Sequence, residues 1–343
     1  MAESPRQIHR IHAPPHVARL PCVPFEWQFE GGENFYVRKC YNWFYSAVEK
    51  ILLKKGERCV TITGTPGIGK SVFYAYFCDR FRQQHPDICV IAMSFSETIV
   101  TEAVVFMPGD KPKSTAVPGC IEPLVDETSS EAERQGIEVL FLCDGAPARQ
   151  RRDGDMVVFT TPDPTWLRHV RKNANTYYMP VWTLVELQEA ARALGLPLTD
   201  EQVETSYEIF GGDARFCLKT RIPHEFIEQG ERVVAGREFP DRDDLMASIQ
   251  SITTPMQLRN LLSLNDCSHA NSRLVHYVPD QHGRKAATCF ASPFVLQKLT
   301  EQVLKMARYD SVKLKQVLAV AVNADDLIER ALAMNTTEPT RTS

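Results

Sequence analysis

Cys59-Val-Thr-Ile-Thr-Gly64-Thr65-Pro66-Gly67-Ile68-Gly69-Lys70-Ser71-Val72-Phe73 is the stretch from which the fold reads most directly. A short β-rich run, Cys59 to Thr63, ends at a glycine. From Ser71 to Phe81 the chain is apolar nearly all round, the pattern of a helix buried behind a sheet. Gly64 to Ser71 satisfies G-x-x-x-x-G-K-[ST] in the context that gives the string a mechanism, a strand before it and a helix after it. Glycines at 64, 67 and 69 let the backbone curl so that consecutive N–H groups face one point, and the positive end of the helix dipole faces the same point. This is a cradle for phosphate. The expected contacts run from Gly64, Thr65, Pro66, Gly67, Ile68 and Gly69 through Lys70 and Ser71 to Val72. Lys70 is expected on the β- and γ-phosphates of ATP and the Ser71 hydroxyl on Mg²⁺.

A second metal-orienting carboxylate is expected at the tip of a later apolar strand, and Glu138-Val-Leu-Phe-Leu-Cys-Asp144 supplies it. Many ATPases with this loop carry a glutamate directly after that aspartate to polarise water; here the next residue is Gly145, so slow hydrolysis is expected. Met156 to Thr161 reads as a further core strand whose terminal Thr160 or Thr161 is placed to sense a γ-phosphate. Arg215, after the helix stop Gly211-Gly212, is expected to reach back toward the nucleotide and, with Lys70 and Asp144, to stabilise charge there. Arg168, Arg171 and Lys172 form a basic cluster that reads first as a solvated helix face and second as a phosphate contact.

Working outward, Tyr36 to Glu49 has the spacing of an amphipathic helix, and strands are expected at 88–94, 104–107, 138–143, 156–160 and 176–179. The intervening MPGDKPKSTAVPG and DETSSEAERQG read as loops. Strands alternating with helices imply an α/β fold, a parallel sheet flanked by helices on both faces. Thr183 with Glu186 reads as a capping box opening a helix that Gly195 and Pro197 stop, and a second helix follows from Thr199 to Phe210. Beyond a boundary near Thr220 the pattern is mixed and mainly helical, with helices at 241–250 and 293–306 and short strands at 272–278 and 287–290. The expected organisation is a flexible arm over 1–34, a P-loop NTPase domain over 35–220, and a smaller C-terminal domain with a flexible tail over 221–343.

Bulk properties exclude other classes. The net charge of −4 and pI near 6.2 provide no global attraction to nucleic acid or anionic lipid, so nucleic acid as a partner would need a local patch. No run approaches the roughly 18 apolar residues of a spanning helix, and residues 1–20 lack the apolar core of a secretory signal, so a soluble, intracellular protein without a membrane partner is expected. Ten cysteines without a C-x-x-C pair suit a reducing compartment. His9, His12 and His16 are interrupted by Pro14 and Pro15 and lack metal-ligating partners.

With these residues laid out, the chain resembles the NTPase module of the crinkler and retrotransposon-hot-spot proteins. The matching stretches are Phe35-Tyr-Val-Arg-Lys39, Ile62 to Tyr74, the strand end Asp144-Gly145, Tyr178-Met-Pro-Val-Trp182-Thr-Leu with Glu186-Leu, Gly211-Gly212 with Arg215, and Phe290-Ala-Ser-Pro-Phe294. That resemblance implies an ATPase of the AAA or signal-transducing (STAND) kind preceding a nuclease-like domain. In the oomycete branch it implies a secreted effector acting in host cytoplasm or nucleus. The leucine-rich header of such effectors is not seen here, and Pro279-Asp280 is not followed by the Glu-x-Lys strand of a nuclease. The expected function is therefore a slow ATPase or ATP-dependent switch controlling a protein partner or self-association. A nucleic-acid-directed enzyme is the alternative, and a small-molecule kinase is third.

Overall fold

Alternation along the β-runs sorts their side chains to the two faces of one sheet. The computed structural model describes residues 17–25, 33–54, 58–170, 175–219, 240–262, 273–284, 286–307, 311–318 and 327. In chain order its first elements are β1 (Val17–Arg19), β2 (Asn34–Tyr36), α1 (Lys39–Leu52), β3 (Cys59–Thr63), α2 (Lys70–Gln84), β4 (Cys89–Ser96), β5 (Ile99–Phe106), β6 (Lys113–Thr115) and α3 (Ile121–Gln135). They are followed by β7 (Val139–Asp144), β8 (Asp155–Phe159), α4 (Pro164–Val170), β9 (Thr176–Tyr178), α5 (Leu184–Ala193), α6 (Asp200–Phe210) and α7 (Ala214–Cys217). Then come α8 (Pro240–Gln250), α9 (Pro255–Leu262), β10 (Val275–Pro279), β11 (Ala286–Phe290), α10 (Pro293–Ala307) and α11 (Ser311–Leu318).

Seven strands form the central sheet in the order β6-β5-β4-β7-β8-β3-β9. The five from β4 to β9 are parallel, as expected for an α/β fold, while β5 and β6 add antiparallel at one edge. The Asp144 strand, β7, is thus separated from the Gly64 strand, β3, by β8. Val60, Ile62, Leu140, Leu142, Val157 and Phe159 point to the face covered by α1 and α2, where Tyr41, Phe73, Phe77 and Phe81 pack. Cys59, Phe141, Cys143, Met156 and Val158 point to the opposite face, against Ile121, Val125 and Ala132 of α3 and Trp166 of α4. Period-two alternation places Asp144 on the same side as Leu140 and Leu142, the side that carries α2.

Three sequence expectations need correction. The run MPGDKPKSTAVPG is not all loop: Lys113–Thr115 forms β6, because it pairs antiparallel with the free edge of β5. The charged run DETSSEAERQG belongs to α3, because Val125, Thr128, Ser129 and Ala132 form a narrow buried stripe beneath its charges and Gly136 closes it with φ 68°. The expected Thr183 capping box is half formed: the Thr183 hydroxyl accepts from the Glu186 N–H at 3.2 Å, but the Glu186 carboxylate turns instead to Arg38. The complete capping box is at Thr199 and Gln202.

β1, within the segment expected as an arm, pairs antiparallel with β2 at the start of the expected NTPase domain, so part of that arm is a strand. The helices expected at 241–250 and 293–306 are α8 and α10, and the expected strands near 272–278 and 287–290 are β10 and β11, paired as a hairpin. The boundary near Thr220 lies outside the described residues, as do His9, His12, His16, Arg171 and Lys172. Leu245, Leu258, Val295, Leu299 and Leu314 share one continuous apolar cluster with Phe73 and Ile62.

Candidate functional site

The loop Gly64–Gly69 leaves the end of β3 and enters α2 in backbone conformations open to glycine: φ is 141° at Gly64, 79° at Gly67 and 90° at Gly69. Among the described residues, five of its six carbonyls accept hydrogen bonds. Lys70 Nζ donates to Gly64 O at 3.1 Å and to Thr65 O at 2.9 Å. The Arg215 backbone N–H reaches Gly67 O at 3.3 Å. Ile68 O accepts from Trp182 Nε1 at 2.8 Å and from Arg38 Nη1 at 3.5 Å. Gly69 O accepts from the Phe73 N–H at 3.0 Å and from the Tyr41 hydroxyl at 3.3 Å. Among the described residues no hydrogen bond takes up the N–H of Thr65, Gly67, Ile68 or Gly69. A row of unengaged backbone donors on a glycine-rich loop at a helix N-terminus suits an anion.

Lys70 is buried beside this row, with its ammonium folded onto the loop's own carbonyls, and Ser71 follows it on the first turn of α2. Asp144 closes β7 and is 1% exposed. It lies near enough to α2 that its charge helps hold the buried Tyr74 phenol above its ordinary pKa, after burial itself as the main cause. The Tyr74 hydroxyl is buried with no hydrogen-bond partner among the described residues. Lys70, Ser71 and Asp144 are thus gathered at one end of the sheet. Their oxygen and nitrogen donors match the chemistry of a triphosphate and an oxygen-ligated Mg²⁺, which is normally held by one or two protein oxygens, phosphate and water rather than by a dedicated cage. Among the described residues no group of three or more His, Cys, Asp or Glu side chains is assembled for a metal.

The glutamate that would follow Asp144 has no room. At Gly145, φ is 99° and a Cβ would sit 2.7 Å from Phe95 O. Thr160 is buried at the end of β8 with its N–H bonded to Ile62 O at 3.0 Å, one strand from Asp144. Arg215 meets the loop through its backbone N–H on Gly67 O, and the residue is exposed. Arg168 is exposed and donates to Pro164 O at 3.0 Å, as a solvated helix face would. The Asp280 carboxylate accepts from the His282 and Arg284 N–H groups, so it ties the turn of the β10–β11 hairpin.

Several residues around the loop went unassigned in the sequence. Asp213 is buried and caps α7, accepting the Arg215 N–H at 3.0 Å. Burial pushes its carboxyl up to about 6, against the lowering influence of Arg215 and Lys70. Arg38, 1% exposed, is held bidentately by Glu186 and lies 4.4 Å over the Trp182 ring. Arg38, Trp182 and Glu186 occur in the stretches that carry the crinkler resemblance, but no local rule gives them a role. The β10–β11 hairpin also meets the loop: the Tyr277 N–H donates to Thr65 Oγ1 at 3.0 Å, and Gly283 O accepts from the Tyr178 N–H at 2.7 Å.

No family model and no curated protein matches the chain. Among solved structures it is similar to DnaA from Aquifex aeolicus with AMPPCP bound, at 13% identity and TM-score 0.34, covering 88% of this chain and 90% of that one. It is also similar to the Hsp104–ADP complex of S. cerevisiae, at 11% identity and TM-score 0.37, covering 89% of this chain and 49% of that one. Both superpositions are loose. Among the described residues no helix is long and apolar enough to cross a membrane.

Proposed function

We propose that the chain binds ATP with Mg²⁺ and works as a slow ATPase or nucleotide-dependent switch of the crinkler type. The observation that carries this is a glycine-rich loop whose carbonyls at 64, 65 and 67–69 are hydrogen-bonded while, among the described residues, no acceptor takes the N–H of Thr65, Gly67, Ile68 or Gly69, with Lys70, Ser71 and Asp144 beside it. In this reading the loop N–H groups and Lys70 bind phosphate oxygens, while Ser71 and Asp144 hold the metal directly or through its water. The metal, when bound, neutralises charge on the phosphates. Slow turnover follows from Gly145, where neither the φ of 99° nor the space against Phe95 accommodates an adjacent carboxylate base. The contacts from Arg215, Trp182 and Tyr277 to the loop are routes by which the bound nucleotide would bias other elements and, through them, a protein partner or self-association. On the crinkler resemblance, the proposed place of action is the interior of a host cell.

Titration with a fluorescent ATP analogue tests the reading. Lys70→Ala should weaken binding by more than about tenfold, since a hydrogen bond to a charged group contributes about 1.5–3 kcal/mol. Asp144→Asn should reduce Mg²⁺-dependent phosphate release more than it reduces binding. Undiminished binding by Lys70→Ala would remove the proposal.

A further inference from the structure

The guanidinium of Arg38 has every N–H engaged. Nε and Nη2 donate to the two Glu186 oxygens at 2.9 and 2.8 Å, Nη2 also to Val181 O at 3.1 Å, and Nη1 to Pro180 O at 2.9 Å and Ile68 O at 3.5 Å. Arginine has five such donors, so a fully buried head group is here fully satisfied. Trp182, stacked under the guanidinium, gives its own N–H to the same Ile68 carbonyl at 2.8 Å. Three chain segments, around residues 38, 68 and 182, therefore meet on one peptide group of the loop.

We infer that Arg38 and Trp182 are positioning residues for the phosphate loop, orienting the Ile68–Gly69 peptide so that its N–H faces the phosphate. The inference deepens the nucleotide reading and rests on it. A trans peptide is planar, and its C=O and the N–H of the next residue point in opposite directions. Drawing Ile68 O toward Trp182 and Arg38 thus turns the Gly69 N–H the other way, toward the hollow. Gly69, with φ 90° and ψ 32°, permits either orientation of the neighbouring peptide at low cost, so the donors beneath it make the choice. Reversed, the peptide would present the negative end of its dipole to an anion. Stability alone does not explain the arrangement, because a buried ion pair is commonly replaceable by apolar side chains without loss. What an apolar pair could not supply is a donor for the loop carbonyl. Glu186, third residue of α5, keeps the fork aligned with the carbonyls of Pro180 and Val181 and is the reason the Thr183 cap stays half formed.

The test measures the affinity of the parent protein, Trp182→Phe, Arg38→Lys and Lys70→Ala for ATP and for inorganic tripolyphosphate, together with urea unfolding without ligand. Trp182→Phe keeps a smaller ring beneath the guanidinium and removes the N–H; urea unfolding reads the packing lost with the indole. It should bind ATP and tripolyphosphate more weakly by the same factor, about tenfold, equivalent to about 1.4 kcal/mol. Arg38→Lys, which cannot form the fork, should do the same. An equal loss for the two ligands places the defect at the phosphates and not at a base contact, and an unchanged urea midpoint separates it from a general loosening of the fold, which would also weaken both ligands equally. Binding of both ligands within twofold of the parent by either folded variant overturns the positioning role, as does a loss seen with ATP alone. If the parent itself binds neither ligand, the nucleotide reading fails, a result distinct from parental binding with unimpaired Trp182→Phe.

Discussion

The carboxylate of Asp213 fills the space where a side chain on Gly67 would be: a Cβ built on Gly67 meets Asp213 Oδ1 at 2.0 Å. Gly67 also has φ 79°, so two independent demands, one conformational and one steric, exclude any other residue there. The contact seats the segment after α6 on the loop and explains why the Arg215 N–H reaches Gly67 O.

Gly67→Ala should therefore cost more than the roughly 1–3 kcal/mol of a strained backbone conformation alone. The buried carboxylate has to move as well. Urea unfolding should show the loss, and ATP affinity should fall with it. A variant as stable as the parent would mean that α7 is not seated on the loop.

Two buried groups near the loop titrate with opposite effect. Asp213 is raised to about 6, chiefly by burial, so its contribution to stability is full below its unfolded value near 3.8 and lost as pH rises through 6. His276 is lowered to about 4 by burial, so its contribution is full above its unfolded value near 6.5 and lost as pH falls through 4. Asp213→Asn should unmask the histidine and make the protein lose stability more steeply between pH 6.5 and 4 than the parent does. The added slope should amount to about 2–3 kcal/mol over the window, at about 1.4 kcal/mol per pH unit of displacement. Urea midpoints at several pH values check this, and an unchanged slope would show Asp213 to be ionised throughout.

Thr65 links the loop to the β10–β11 hairpin through the bond from the Tyr277 N–H. Thr65→Val removes this buried acceptor and should lower stability by about 1–3 kcal/mol, whereas Thr65→Ser should keep most of it. Trypsin cleavage at exposed Arg284, in the hairpin turn, should become insensitive to ATP in Thr65→Val while ATP protects the parent. Protection that survives in the valine variant would mean the hairpin senses the nucleotide by another path.

Arg215→Ala separates the backbone contact from the side chain. The N–H on Gly67 O remains, so ADP affinity should stay near the parental value, while the preference for ATP and the slow turnover should both decrease as an exposed positive charge beside the loop is lost. Equal losses for ADP and ATP would assign Arg215 to the loop's structure instead.

The glycine-rich loop with its strand and helix, Asp144 at the tip of an apolar strand, and the parallel α/β character were legible in the sequence, because each is encoded by residues within a few positions of one another: a glycine spacing, a short apolar run, a helix apolar all round. Thr183 as an N-cap was legible for the same reason. The course of α3 was hidden by its charges, since a stripe containing Thr128 and Ser129 does not stand out by hydropathy. What only the tertiary structure decided is what surrounds the loop. Arg38 and Trp182 meet on Ile68 across 30 and 114 positions, Tyr277 meets Thr65 across 212, and the Glu186 carboxylate leaves its expected cap for an arginine 148 residues away. Such pairings depend on which buried donor lies nearest an unsatisfied carbonyl once the elements have packed, and burial makes an unmade bond too costly to leave, so chain folding sets the partners where no local pattern can.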